Sequence, residues 1–219
     1  MTYHVKEMFY TLQGEGCRAG RASVFLRFAG CNLWSGLARD REQALCNFCD
    51  TDFVGTDGEG GGRFESPQEL ATAVRRSWDC AQLEKVQLAH GAIPYVVCTG
   101  GEPLLQLDRA LIAALHDENF EIAVETNGSI AAPAGIDWIC VSPKGQVPVL
   151  QITGDELKLV YPQSNALPEA FEDLAFDHFL LQPMDGDQVH QNTQMALQFC
   201  LSHPKWRLSL QTHKLLGIP

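Results

Sequence analysis

The chain is expected to be an α/β protein whose mainly parallel sheet curls into a partial, open (β/α) barrel. Three observations carry this. Strand-like and helical runs alternate along the sequence. Small or polar residues follow one strand-like run after another, as they do where carboxyl ends of parallel strands build a site. The segment Asn127–Ile136 is too short and too rich in Gly and Pro for a crossover helix, so a full eight-fold barrel does not fit 219 residues. An open barrel of about six or seven strands does.

Ser23–Phe28 (SVFLRF) is the first strand-like run, ending at Ala29-Gly30. Ser66–Trp78 opens with a capping box: Ser66 as N-cap, Pro67 at the first helical position, Glu69 reaching back. Its Leu70, Ala73, Val74 and Trp78 recur at helical spacing. Tyr95–Thr99 is a short buried strand stopped by Gly100-Gly101, and Leu107–Asn119 is a helix with Leu111, Ile112 and Leu115 on one face. Strands follow at Glu121–Thr126, Trp138–Ser142, Glu156–Tyr161 and His178–Gln182, then a helix at Asn192–His203 and a last strand at Trp206–Gln211. The polar clusters lie at Cys31, Thr99–Glu102, Glu125–Asn127, Ser142–Lys144, Gln182–Asp185 and Gln211–Lys214.

With 45% hydrophobic residues and no repeat or tail, residues 1–219 are expected to form a single domain. Gly55–Arg63 (GTDGEGGGR) is a surface loop. A net charge of −11 without a basic stripe argues against nucleic-acid binding. No apolar run is long enough for a membrane span, and MTYHVKEMFY has neither the basic nor the apolar region of a secretory signal. The expected location is cytoplasmic, where eight cysteines serve as metal ligands, catalytic thiols or buried apolar residues rather than disulfides.

Cys31, Cys46 and Cys49 are spaced C-x14-C-x2-C on a polar stretch, CNLWSGLARDREQALCNFC. A structural zinc site wants a closed set of four ligands, which only Cys17 could complete. A nucleophilic cysteine wants a basic partner, and none is near. Three thiolates suit an iron–sulfur cluster with one iron left open for a small molecule, since such clusters normally take four. The zinc-binding interaction module remains the alternative from another class.

A three-cysteine motif after the first strand, followed by CTGGEPLLQ (Cys98–Gln106) after the second, resembles the radical S-adenosylmethionine superfamily. FYTLQGEG, FLRFAGCNLW, CDTDF, ETNGS, ICVSPK, ELKLV, LLQPMDG and LQTHKLLGIP, spread from Phe9 to Pro219, are similar to the 7-carboxy-7-deazaguanine synthase family. The long first cysteine gap departs from the usual superfamily spacing but occurs in a subgroup of that family.

The resemblance implies a degenerate radical-SAM core and a lyase of queuosine-type 7-deazapurine biosynthesis. Its substrate is 6-carboxy-5,6,7,8-tetrahydropterin. A [4Fe–4S] cluster reduces S-adenosylmethionine, the resulting radical takes a substrate hydrogen, and ring contraction expels ammonia. By resemblance, Cys31, Cys46 and Cys49 hold the cluster. Phe48, Cys49, Asp50, Gly101, Ser142, Pro143, Lys144, Gln182, Pro183, Met184 and Asp185 line the adenosylmethionine site, and the GGEP backbone and carboxylate receive the methionine amino group. Leu12, Gln13, Gly14, Arg27, Thr99 and Pro219, the last through its terminal carboxylate, contact the pterin. Thr51 helps hold Mg²⁺. An electron donor such as flavodoxin or ferredoxin and a homodimer are further implications.

Arg27 sits within an apolar strand, where a charge needs a partner: a substrate carboxylate, or a neighbouring Asp or Glu. Glu15 and Lys158 are further pocket candidates. His213 is expected to be structural, Cys17 incidental, and Cys80, Cys98, Cys140 and Cys200 core thiols. An activase that makes a glycyl radical on a partner protein would share the cluster and GGEP, but would need neither Arg27 nor the terminal HKLLGIP.

Overall fold

A computed structural model describes residues 1–85 and 93–219. Its strands are β1 (Tyr3–Leu12), β2 (Ala22–Phe28), β3 (Gly62–Phe64), β4 (Tyr95–Gly100), β5 (Glu121–Thr126), β6 (Trp138–Val141), β7 (Thr153–Tyr161), β8 (Ala175–Pro183) and β9 (Trp206–Leu208). The helices are α1 (Pro67–Lys85), α2 (Arg109–Asp117), α3 (Val189–Ser202) and α4 (Thr212–Leu216).

One nine-stranded sheet runs in the order β3-β1-β2-β4-β5-β6-β7-β8-β9. From β2 to β9 every pairing is parallel. At the other edge, β1 pairs antiparallel with both β2 and β3. The fold is thus a mostly parallel α/β sheet, not a closed barrel. The expectation of six or seven strands is corrected to nine, because β1 and β3 were not anticipated. β1 breaks its alternation with a register shift between Val5 and Glu7, and Lys6 and Glu7 dilute its apolar signal.

Alternation along β7 sends apolar side chains to the helix-covered face and polar ones to the other. In β7, Leu157 and Leu159 join the core, while Glu156 and Lys158, equally buried, do not. The core has two main parts. One packs Tyr3, Val5 and Leu26 against Leu70, Leu111 and Leu115 of α1 and α2. The second packs Leu157, Leu159 and Phe179 against Trp206 and Ala196. Cys98 and Cys140 are buried as expected, but Cys80 is exposed: it lies off the face of α1 that carries Leu70, Val74 and Trp78.

The caps follow sequence. The Glu69 amide donates to Ser66 Oγ (3.1 Å), while the Glu69 carboxylate accepts from the Glu65 amide (2.7 Å). Asp108 caps α2 through the Leu111 amide (2.9 Å) and also accepts from the Tyr3 hydroxyl (2.9 Å). The glycine-rich loop docks on β1. The Met8 amide donates to Glu59 O (2.7 Å), and a Cβ at Gly60 would lie 2.6 Å from Met8 O. Lys6 ties this loop down through Asp52 (2.9 Å), Asp57 (2.8 Å) and Val54 O (2.9 Å).

Candidate active site

A cavity of about 410 Å³ opens at the carboxyl ends of the parallel strands. Leu12, Gln13, Gly14, Arg27, Cys46, Phe48, Cys49, Asp50, Thr51, Thr99 and Gly101 line it. So do Ser142, Lys144, Gln182, Pro183, Met184, Asp185 and Pro219. Two expected residues lie outside the lining, Cys31 and Pro143. Cys31 stands just behind Gly101, where an added Cβ would approach its Cβ to 2.7 Å and run into Gly30 O. Pro143 turns its carbonyl toward Gln163 Nε2 (3.3 Å).

The floor is a buried ion network. Lys158 of β7, 3% exposed, pairs with Glu15 and with Glu125 (3.1 Å). Gln13 Nε2 donates to Glu125 (2.9 Å), and Gln211 Nε2 donates to Glu15 (2.9 Å). Burial works against the Lys158 charge, but Glu125 and Glu15 outweigh it and hold its pKa well above the ordinary lysine value. Burial likewise pushes Glu15 up, and Lys158 brings it below the usual carboxylate range.

One wall comes from the β1–β2 hairpin. Phe9 and Phe25 stack there (5.8 Å, 11°), and Arg27 Nε donates to Glu7 (2.7 Å). An internal carboxylate therefore partners Arg27, and its terminal nitrogens form no hydrogen bond among the described residues. At the mouth, Lys214 joins Asp50 (2.7 Å) to Asp185 (2.6 Å). Burial raises the Asp50 pKa, but Lys214 more than offsets it; Asp185 is lowered chiefly by its hydrogen bond to Lys214.

Glu102 is drawn into the scaffold. It is 0% exposed and does not line the cavity. Its carboxylate accepts from the Leu104 amide (3.0 Å), Thr126 Oγ1 (2.8 Å) and the Asn127 amide (2.8 Å). Three of the acceptor positions of this carboxylate are thus taken by the scaffold; the glycines before it, Gly100 and Gly101, are the part of the motif that lines the cavity. Gly100 has φ +138, and a Cβ there would meet the backbone N of Phe28 at 2.7 Å.

Cys31, Cys46 and Cys49 lie close enough to influence one another electrostatically, and burial pushes the Cys31 and Cys46 thiols up. Three thiols beside a glycine cradle suit an open iron–sulfur cluster, which is wider than a single ion. Among the described residues, no three His, Cys, Asp or Glu side chains close on a point fit for one metal ion. Cys17 lies apart, its sulfur 3.8 Å from Arg207 and its amide on Glu156 (2.7 Å), so it does not complete a four-thiolate zinc site.

Glu7 and Phe9 line the cavity without having been expected, and they belong to the strand whose pattern was broken. Gln211 and Lys214, from the polar cluster after the last strand, line it too. His213 also lines the cavity rather than serving only as structure, packed so closely on Gly14 that a Cβ there would collide with its ring Nδ1.

No protein-family model matches the chain. Among curated proteins, it is 61% identical over 219 residues to a 7-carboxy-7-deazaguanine synthase of Caulobacter vibrioides, covering 100% of both chains. Proteins of the same name from Bordetella pertussis and Bradyrhizobium diazoefficiens are 60% and 62% identical, again over 100% of both chains. Among solved structures, QueE from Escherichia coli superimposes with a TM-score of 0.68 at 25% identity, over 96% of this chain and 94% of that one.

Proposed function

The chain belongs to the 7-carboxy-7-deazaguanine synthase family, and from that premise we propose how its residues carry the reaction. It is a radical S-adenosylmethionine lyase that forms 7-carboxy-7-deazaguanine on the route to queuosine-type deazapurines. The reading of its site rests on one observation. Two thiols, Cys46 and Cys49, a glycine cradle with Cys31 just behind it, and a buried ion network converge on one cavity at the carboxyl ends of parallel strands.

The substrate we propose is 6-carboxy-5,6,7,8-tetrahydropterin. When bound, the iron–sulfur cluster and S-adenosylmethionine supply the one-electron reduction and the hydrogen abstraction. Cys31, Cys46 and Cys49 are assigned to the cluster, and the wall from Phe48 to Asp50, with Gly101, Ser142–Lys144 and Gln182–Asp185, to S-adenosylmethionine. Leu12, Gln13, Gly14, Thr99 and Pro219 are assigned to the pterin.

The chain's own work is to orient and to exclude water. Glu7 fixes the Arg27 guanidinium at Nε, which leaves its terminal nitrogens for the bidentate grip on the substrate carboxylate. Glu15, Glu125 and Lys158 lock each other in place, so the floor keeps its shape when the cavity fills. Thr51 is assigned to Mg²⁺, which accepts few protein oxygens when substrate and water complete its shell. Lys6, by holding Asp52, fixes the residue next to Thr51.

No helix of the described residues is long and apolar enough to cross a membrane. We assign the chain to the cytoplasm, as a single domain spanning 1–219 that works as a homodimer and receives electrons from a flavodoxin or ferredoxin. Anaerobic turnover of the carboxylated pterin, with and without Mg²⁺, is the test. Formation of the deazaguanine acid and ammonia that depends on Mg²⁺ is expected. Turnover indifferent to Mg²⁺ removes Thr51 from that role, and none at all refutes the substrate.

A further inference from the structure

Fourteen residues separate Cys31 from Cys46, and the structure gives that insertion a definite task. Cys31 needs no help from it. The Glu102 amide donates to Gly30 O (3.0 Å), and the Gly30 amide donates to Phe53 O (3.1 Å). On the far side, Asn127 Nδ2 donates to Asn32 Oδ1 (3.0 Å). The turn bearing Cys31 is thus held on both sides by the segments that follow β4 and β5.

Cys46 and Cys49 lie on a stretch, Ala44–Phe53, that belongs to no strand or helix. Lys214 and Gln211 reach it at the Asp50 side chain and Gly30 at Phe53 O; the backbone carbonyls between the two thiols are held from the insertion. Its Trp34 is 7% exposed and packs edge-on against Phe53 (5.6 Å, 89°). A 3₁₀ turn, Ala38–Gln43, buries none of its own residues. It does, however, deliver Arg41 onto the Trp34 ring, 4.1 Å from the centroid. From there Arg41 Nη1 donates to two carbonyls, Asn47 O (3.0 Å) and Cys49 O (3.0 Å). A guanidinium suits this position because it stacks flat on an indole and still donates in its plane.

We propose that Arg41 is a positioning residue for the cluster: stacked on Trp34, it braces the Cys46–Cys49 segment so that both thiols are already placed when iron arrives. The insertion then replaces the stiffness of a short spacing with a brace of its own. The inference rests on the assignment of Cys31, Cys46 and Cys49 to the cluster.

The test uses the full chain, reconstituted anaerobically with iron and sulfide. Iron release to an excess of chelator is followed by loss of visible absorbance. Arg41→Met keeps the aliphatic stem over Trp34 and removes the donors; Glu42→Gln, exposed on the same turn, is the control. Arg41→Met is expected to lose iron about tenfold faster, the lower end of what loss of an outer-shell partner costs. Arg41→Lys should fall between it and the parent, and Glu42→Gln should match the parent. KM for S-adenosylmethionine should rise while KM for the pterin stays, and the melting midpoint of the iron-free chain should not move. Parental release from Arg41→Met overturns the brace, whatever its turnover. Faster release with a lowered midpoint also counts against it, as a general loss of fold. A parent chain that takes up no cluster refutes the thiol assignment itself, and the brace with it.

Discussion

Glu102 carries more of the site than a cofactor contact would. One of its oxygens accepts from the Leu104 amide and Thr126 Oγ1, the other from the Asn127 amide. Burial raises its pKa, and those donors work in the opposite direction. In Glu102→Gln an amide nitrogen must face one of these donors. The expected loss is about 1–3 kcal/mol of stability, the cost of a buried polar group left unmatched, read by denaturant unfolding of the iron-free chain. The thiols give a second test at this scale. Cys17→Ser should retain iron after reconstitution, and Cys46→Ser should lose most of it. The opposite pattern of iron content would reassign the ligands. Much at this scale was legible because the sequence names the chemistry: thiols, glycines, a charge inside a strand. It does not name partners. Nothing local to Arg27 shows that Glu7 will lie beside it, because the two are 20 residues apart and only the hairpin brings them together.

Among the elements, α4 is the least secured and closes the mouth of the cavity. It has no buried residue, and Lys214 ties it to Asp50 and Asp185. Both carboxyls titrate below their unfolded values. The stability they lend is therefore complete above the ordinary carboxylate range, about 4. It is lost as pH falls through the depressed folded values. Protection of residues 212–219 against hydrogen exchange, taken relative to the intrinsic rate at each pH, should fall as pH is lowered through that window, and Lys214→Met should show the same low protection at neutral pH. Exchange that ignores both changes would deny the latch. Deleting Pro219, whose oxygen accepts from Thr11 Oγ1 (2.9 Å), should lower pterin turnover more than cluster content. Elements with strong periods were legible: α2, β4, β5 and the inner part of β7 lie within a few residues of where the sequence placed them. β1 was not, since a register shift and two charges disguise it. β3 spans only Gly62–Phe64 and exists because β1 offers it an edge. α4 is held by an ion pair rather than an apolar face, so no period announces it.

Across the whole molecule, one sheet joins the two parts of the core. Leu111→Ala in the first and Leu157→Ala in the second, both at 0% exposure, should each cost about 2–5 kcal/mol. Each should shift a single transition in which circular dichroism and tryptophan fluorescence coincide. Separate transitions would divide the single domain proposed for 1–219. The open parallel architecture was legible from the alternation of runs, and the cavity's place from the polar residues at strand ends.

The strand order has a consequence in time. From β5 to β9 each strand pairs with the one made just before it, so the sheet can grow by accretion while the chain is still being synthesised. The cavity cannot. Lys158 lies 143 residues after Glu15, and Gln211 lies 196 after the same carboxylate. A nascent chain that has finished β6 owns most of its scaffold while Glu15 and Glu125 still wait for the cation that will neutralise them. The scaffold is assembled gradually, but the active site is complete only when the residues after the last strand have been made.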